Sequence, residues 1–481
     1  MTGPIDEPHS WMQCDRAHYA LDFYKNGVNL FFPSLGWLGL HKTVIYEFPF
    51  PQMLMTAAYH LFGYDLLWGR ATTLLFFMLS AAYLFLIIKY LFDDRLALIG
   101  AAVYCILPLS IFYSRAIHID FFALAFAHMM TYHLMRACND YASKHFFIGT
   151  AAGILGFLIK APYVFFFILP LSMIAFHQKR VRPVLILAVS FGVATLIFLL
   201  WRRHVTHVNS TAPDWFFIPG YTKSINMLPF YLGDIAMRWD GGPWRLILRR
   251  LFFEVFAGVG VIFFAGGAIL SWIDLRHKRR WQDFFVWAWL IGTIGFLFIF
   301  FKASYIHNYY QIPFLSIAAI FIALGIDLPF RRLEKQRGSS ALCISLCAFG
   351  LLAISSIAYA QRHYFWLDTI RIEAGKIIDR HIPPDVLIIA AANLDGTTGN
   401  DPRLLFRAKR NGWSIHKDAL NKNVVQKLKD LNAEYLIVLD KATLSVSNLF
   451  GYPAVMMPLP SSEYKVYIAC LDKLNPIPTK P

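Results

Sequence analysis

Three carboxyl groups and a few cations stand out in a chain that is otherwise overwhelmingly apolar. Asp15 and Tyr19 fall in "HSWMQCDRAHYALDFYKNG", residues 9–27, and Glu47 in "HKTVIYEFPF", residues 41–50. Arg115 and Asp120 share "SRAIHID" (114–120), Lys160 lies in "GFLIKAP" (156–162), and Lys302 and His307 lie in "KASYIHNYY" (302–310). A carboxylate beside a reacting hydroxyl can take its proton, and fixed Arg or Lys charges can stabilise an anion as it develops. Simpler roles compete at each position. The spacing of residues 15–27 predicts a helix with Asp15 at its N-cap and Gly27 at its end, so Asp15 can be a cap and Tyr19 ordinary packing. Glu47 can be solvated and inert. Asp120 precedes an apolar run and can cap it or pair with Arg115. Lysine and arginine at the ends of membrane helices commonly snorkel to the interface, and His307 stands where an interfacial aromatic belt is expected. His128 and His133, inside an apolar run, read as packing residues. Asp6, Glu7, His9 and Asp15 match no ligand spacing, so no metal or other cofactor is assigned, with a divalent ion as the open alternative.

The elements that must position these groups are membrane helices. Hydrophobic residues make up 57% of the 481 and charged residues 16%, above and below the roughly 45–50% and 25% of soluble domains. The expected fold is a polytopic α-helical membrane protein with spans at 70–92, 96–113, 121–138, 145–160, 162–178, 183–202, 251–272, 283–301, 310–328 and 339–361. Several of these have about 17 residues, near the lower limit for crossing hydrocarbon. Lys160 and Pro162 divide 145–178 into two, and 51–66 reads as an interfacial helix. The net charge of +15 argues for no nucleic acid, because the basic residues crowd into short loops: "QKRVR" (178–182), "RHKRR" (276–280) and "RRLEKQR" (331–337). Short basic loops stay in the cytoplasm. Residues 1–69, 114–120, 203–250, 302–310 and the tail after 361 then face outward. A translocated first loop needs a helix before it, and residues 1–11 have no signal-peptide pattern, so a first span upstream of the given start is expected. Three parts follow: the first loop (1–69), a membrane domain (70–361) and an extracytoplasmic α/β domain (362–481). In the last, "DVLIIAAA" (385–392), "EYLIVLD" (434–440) and "EYKVYIACL" (463–471) read as strands. "RLLFRAKRNGW" (403–413), ended by Gly412, and "NVVQKLKDLNA" (423–433) read as helices. No Gly-rich phosphate loop follows a strand, so no nucleotide is assigned. The six cysteines form no disulfide framework by spacing.

These residues resemble the superfamily C glycosyltransferases, which use polyprenyl-phosphate sugars and include the aminoarabinose transferase acting on lipid A and the protein O-mannosyltransferases. Asp15 matches the family's catalytic Asp and Tyr19 its Tyr. Gly27 and Pro33 keep the spacing, and "YEFP" (46–49) matches the second motif. The opening His-Ser-Trp-x-Gln-x-Asp is similar to that of a bacterial, dolichyl-phosphate-mannose-type or family 39-like subgroup, as are "GR" (69–70), "PLSIFYSRAIHID" (108–120), "GFLIKAP" (156–162) and "HNYYQIP" (307–313). The resemblance covers roughly residues 8 to 330. Two positions depart from it: Arg16 stands where relatives carry a second acid, and Phe48 where they carry Lys.

The resemblance implies an inverting glycosyltransferase of the bacterial inner membrane. It would move a sugar from a polyprenyl-phosphate donor to a glycolipid, glycan or protein acceptor on the periplasmic face, among membrane lipids. Asp15 would be the general base. With Phe48 unable to hold phosphate, Arg115, Lys160 and Lys302 are the candidate donor-phosphate ligands, and Tyr19, Glu47, Asp120 and His307 the supporting residues. A glycan polymerase or ligase would not need the Asp-x-x-x-Tyr loop. A flippase of lipid-linked sugars predicts internal repeats and midplane charges; no repeat is visible, and the ionisable residues gather at span ends.

Overall fold

The computed structural model describes residues 2–472 apart from 42, 141–142, 214, 216–217, 219–220, 222, 393, 395–398 and 442–448, and leaves the side chains of 330–338 undescribed, so the basic stretch 331–337 lies outside the described side chains. The chain divides into two compact units. One, of residues 70–202 and 226–365, is helical; the other, of residues 2–69, 203–225 and 366–481, joins the first loop to the tail.

In chain order the helices are α1 (Ser10–Asn26), α2 (Phe50–Phe62), α3 (Leu66–Leu91), α4 (Asp94–Ile106), α5 (Pro108–Tyr113), α6 (Asp120–Asp140), α7 (Ser143–Lys160), α8 (Pro162–Phe165), α9 (Ile168–Gln178), α10 (Val181–Ser210), α11 (Leu228–Leu232) and α12 (Gly241–Arg250). A π-helical turn (Leu251–Val255) precedes α13 (Gly260–Lys278), α14 (Trp281–Ile299), α15 (Phe301–Ile306) and α16 (Ile312–His363). Five described stretches are each long and apolar enough to cross a membrane: Leu66–Leu91, Val181–Ser210, Trp281–Ile299, Asn308–Pro329 and Ser339–His363. Gly241–Val255 and Gly260–Lys278, bent by 91°, pass as a pair. Within α16, Ser345 Oγ donates to Ile326 O at 2.8 Å, so its two apolar stretches lie side by side. The other expected spans are shorter, broken or more polar. Pro108 parts α4 from α5, Pro162 opens α8 directly after α7 ends at Lys160, and α6 carries Asp120, His128, His133, Arg136 and Asp140.

The α6–α7 hairpin matters most for chemistry. Gly153 and Gly156 face α6 closely: a Cβ there would meet Met130 Sδ at 3.0 Å and Phe126 Cβ at 3.5 Å. Small residues let helices approach in lipid, and this approach brings Lys160, the last residue of α7, opposite Asp120, the first of α6.

In the other unit, α17 (Thr369–His381), α18 (Arg403–Arg407) and α19 (Lys422–Asp430) accompany a five-stranded sheet ordered β2-β1-β3-β5-β4. Its strands are β1 (Leu387–Ala392), β2 (Asn411–His416), β3 (Ala433–Asp440), β4 (Ala454–Pro458) and β5 (Lys465–Cys470). β1 lies parallel to β2 and β3, while β5 runs antiparallel to β3 and β4. The expected helix over 403–413 stops at Arg407. Lys409 turns to φ 52°, and Gly412, expected to end a helix, is the second residue of an edge strand. First-loop residues Tyr19, Leu35, Trp37, Leu38 and Val44 share one core with the strand residues Ile388, Trp413 and Leu436.

Candidate active site

Helix α1 opens earlier than its spacing predicts. The backbone N–H of Ser10 donates to Glu7 Oε2 at 2.9 Å, and the Ser10 hydroxyl bonds the same carboxylate. Asp15 is therefore no N-cap: it sits in the second turn, fully buried. Gly27, at φ 90°, does end the helix. The Asp15 carboxyl accepts from the indole Nε1 of Trp37 at 3.1 Å through Oδ1, while Oδ2 has no hydrogen-bond partner among the described residues. Beside it is a void of about 10 Å³, lined by His18, Gly36 and Trp37 from the first loop and Pro402, Leu405, Phe406 and Arg410 from the tail. That is about the space of one water.

Burial pushes the Asp15 pKa up to about 8; the neighbouring Arg16 and the Trp37 hydrogen bond pull it down, and Glu47 adds to the rise. A carboxyl in that range keeps its proton at neutral pH and exchanges it close to the pH at which acid–base catalysis is most efficient. Beside it, Cys14 is pushed up to about 12 by burial and stays a thiol.

Arg16 and Glu47 form a buried ion pair, with Nη2 2.8 Å from Oε2 and Nε 2.5 Å from Oε1 and side chains 5% and 10% exposed. Burial works against the Arg16 charge, but Glu47 and Asp15 outweigh it and raise its pKa. Glu47 is thus not a solvated carboxylate. The guanidinium also lies 5.4 Å from the centre of the Tyr46 ring. Tyr19 OH donates to Val44 O at 2.7 Å, tying α1 to the strand-like segment before Glu47, and burial holds the Tyr19 and Tyr46 hydroxyls neutral.

The helical unit holds a second constellation. Lys160 Nζ donates to Asp120 Oδ1 at 2.6 Å, and His118 meets the other oxygen of Asp120. Asp120 therefore pairs with Lys160 and His118, not with Arg115. Three rings enclose the ammonium, those of Tyr163, Tyr310 and Tyr309 at 4.2, 4.3 and 4.8 Å, an arrangement that stabilises a desolvated cation. His307 stacks on Tyr309 at 4.8 Å. Asn308 donates to Glu254 Oε2 at 2.6 Å and accepts from Tyr113 OH at 2.6 Å. Arg115 lies over the Phe365 ring at 4.4 Å. Lys302, half-buried, makes no hydrogen bond or ion pair among the described residues. His128, as read from the sequence, is a packing residue, bonded to Ser80 at 3.0 Å and Ser316 at 2.8 Å. The described residues hold no group of three or more His, Cys, Asp or Glu arranged to share a metal ion. Spacing gave no signal for Trp37, His118 or Glu254; only the pairing across helix turns and loops reveals them.

Residues 47–208 match the family model of dolichyl-phosphate-mannose-protein mannosyltransferases. No curated protein sequence matches the chain. Among solved structures, ArnT from Cupriavidus metallidurans bound to undecaprenyl phosphate superposes with a TM-score of 0.62 at 13% identity, over 97% of this chain and 94% of that one. The chain has the ArnT fold. It shares less with the Archaeoglobus fulgidus oligosaccharyltransferase in complex with zinc and sulfate, at a TM-score of 0.57 and 13% identity over 91% of this chain and 64% of that one. The archaeal oligosaccharyltransferase AglB from the same organism, in complex with an inhibitory peptide and a dolichol-phosphate, matches at 0.53 and 12% over 91% and 66%. The family resemblance read from the sequence is borne out over residues 47–208, and the expected polytopic helical membrane fold with a small C-terminal sheet over nearly the whole chain.

Proposed function

We propose that the protein is an inverting glycosyltransferase that moves one sugar from a polyprenyl-phosphate donor to a lipid-linked glycan, lipopolysaccharide component or protein on the outer face of the bacterial inner membrane. The observation that carries this reading is the match of nearly the whole chain, first loop and tail included, to the fold of ArnT bound to undecaprenyl phosphate. The acceptor oxygen would bond to the anomeric carbon as the bond from that carbon to the donor phosphate breaks. The hydroxyl proton would pass to Asp15 and the polyprenyl phosphate would leave as an anion. Asp15 suits the base role through its deprotonated form: Oδ2 has no hydrogen-bond partner among the described residues, and a pKa raised to about 8 makes that carboxylate a strong proton acceptor. The void beside it holds about one water, so an acceptor hydroxyl reaches Oδ2 only by displacing a lining side chain such as Leu405 or Phe406. Arg115, Lys160 and Lys302 are the proposed phosphate cations. Of these Lys302 is the most available, and Lys160 would have to share its charge with Asp120. Within the helical unit an apolar cavity of about 300 Å³, lined by Trp244, Leu248, Phe264, Leu290, Phe298 and Phe314 among others, suits a prenyl chain. No metal or other cofactor is needed for this displacement.

Mass spectrometry of glycolipids and surface glycans from a deletion strain tests the reading. One sugar should disappear and return with the wild-type gene but not with Asp15→Asn. Full restoration by Asp15→Asn removes the base assignment, and donor trapped on the cytoplasmic face would instead show a flippase.

A further inference from the structure

The tail acts on the Asp15 carboxyl through Trp37. Trp37, 2% exposed, donates its indole N–H to Asp15 Oδ1, yet residues 36–39 have little structure of their own. They are seated on the tail's edge strand. Gly412 N donates to Gly36 O at 2.8 Å, Gly39 N donates to Gly412 O at 2.9 Å, and Leu38 bridges Trp413 in antiparallel fashion. Residues 36–39 thus extend the sheet beyond β2 and cover an edge that would otherwise be open.

The seat is tight. A Cβ on Gly39 would lie 2.0 Å from Trp413 Cζ2, and Gly39 holds φ +62°; a Cβ on Gly36 would lie 2.6 Å from Asn411 Oδ1. The tail also closes the other side of the carboxyl, where Pro402, Leu405, Phe406 and Arg410 complete the wall of the void. That wall is anchored by charge. Arg403 Nη2 lies 2.7 Å from Asp401 and its Nη1 3.7 Å from Glu7, and Arg371 Nη1 lies 2.7 Å from Asp368.

We propose that the tail domain is part of the catalytic apparatus: through residues 36–39 its edge strand β2 makes Trp37 a positioning residue that orients and shields the Asp15 carboxyl. This rests on the reading of Asp15 as general base. A carboxylate that accepts one fixed N–H through Oδ1 presents Oδ2 in a fixed direction, and the proton transfers there. Detaching 36–39 from β2 frees Trp37 and weakens the bond that favours the charged form. The other groups around the carboxyl are Cys14, Arg16, His18 and Tyr19 on α1, Tyr46 and Glu47 from the following segment, and Asp401, Arg403, Arg407 and Arg410 from the tail. None of these is altered by changes at 37 or 39.

The test is an infrared titration of the protonated carboxyl band in the full chain in lipid nanodiscs, with the band assigned by its loss in Asp15→Asn. Trp37→Phe removes the donor and keeps a ring, and the midpoint should rise by about one pH unit. Gly39→Val forces the backbone off Trp413, and the midpoint should rise too, with the double variant showing less than the sum. If Gly39→Val does not fold, Trp413→Phe loosens the same seat without adding an atom and should shift the midpoint in the same direction. A midpoint unmoved by Trp37→Phe, or moved by it but by neither seat variant, overturns the proposal. The titration needs no turnover, so a failed base assignment in the deletion strain is a separate result.

Discussion

Replacing Asp15 with asparagine should stabilise the protein, and increasingly so as pH rises. The carboxyl is fully buried, with a pKa raised from 3.8 to about 8 by desolvation. The folded chain therefore holds a proton that the unfolded chain has released over that whole window. The sign is the reverse of a salt-bridged aspartate: stability is fully present below the unfolded pKa and is lost as pH rises through the folded one. Each pH unit inside the window costs up to about 1.4 kcal/mol. Asparagine keeps an oxygen for Trp37 Nε1 and carries no titration, though its amide N–H groups would face the void unpaired, at about 1–3 kcal/mol. That cost does not vary with pH, so the informative quantity is the change in the difference between variant and wild type. From pH 5 to pH 7 it should grow by about 2.7 kcal/mol in favour of Asp15→Asn. Thermal melting followed by tryptophan fluorescence in detergent, across pH 5 to 9, reads this directly. A difference that stays flat with pH, or grows in favour of wild type, would refute a desolvated, proton-holding Asp15.

Three further outcomes follow from the same geometry. Arg16→Met and Glu47→Leu should each lower stability by about 3–5 kcal/mol by stranding a buried charge, whereas the double variant should recover most of the loss in the same melts. Lys160→Arg should not substitute for lysine, because the planar guanidinium does not fit among Tyr163, Tyr309 and Tyr310; complementation of a deletion strain should fail as it does for Lys160→Met. Lys302→Ala, if the ammonium contacts donor phosphate, should raise the apparent KM for donor in membrane vesicles about tenfold or more, with a smaller effect on kcat.

Much of this arrangement was legible in the sequence, and the failures are local. The polar run around Asp15 and Tyr19 was conspicuous against its apolar surroundings, and Lys160 and Pro162 marked the break between α7 and α8. Asp15 looked like an N-cap because aspartate favours that position, but Glu7 supplies the carboxylate to Ser10 and the helix starts six residues earlier. Arg16 appeared only as a departure and Glu47 only as part of "YEFP", since nothing local couples residues 31 apart. Asp120 and Lys160, 40 apart, meet across a helix pair packed closely at glycines, which no local pattern reveals. In the tail, "RLLFRAKRNGW" has helical apolar spacing throughout, yet the sheet needs an edge strand there and Gly412 fits against both Ile388 and Gly36. Tertiary pairing decided against the local pattern.

The Arg16–Glu47 pair has a consequence for descent. With both charges buried, a change at either position alone passes through a weakened protein, so the two residues behave as a single inherited character. Lineages of this fold without a cation at position 16 should either lack the carboxylate at 47 or hold it with a cation from another position.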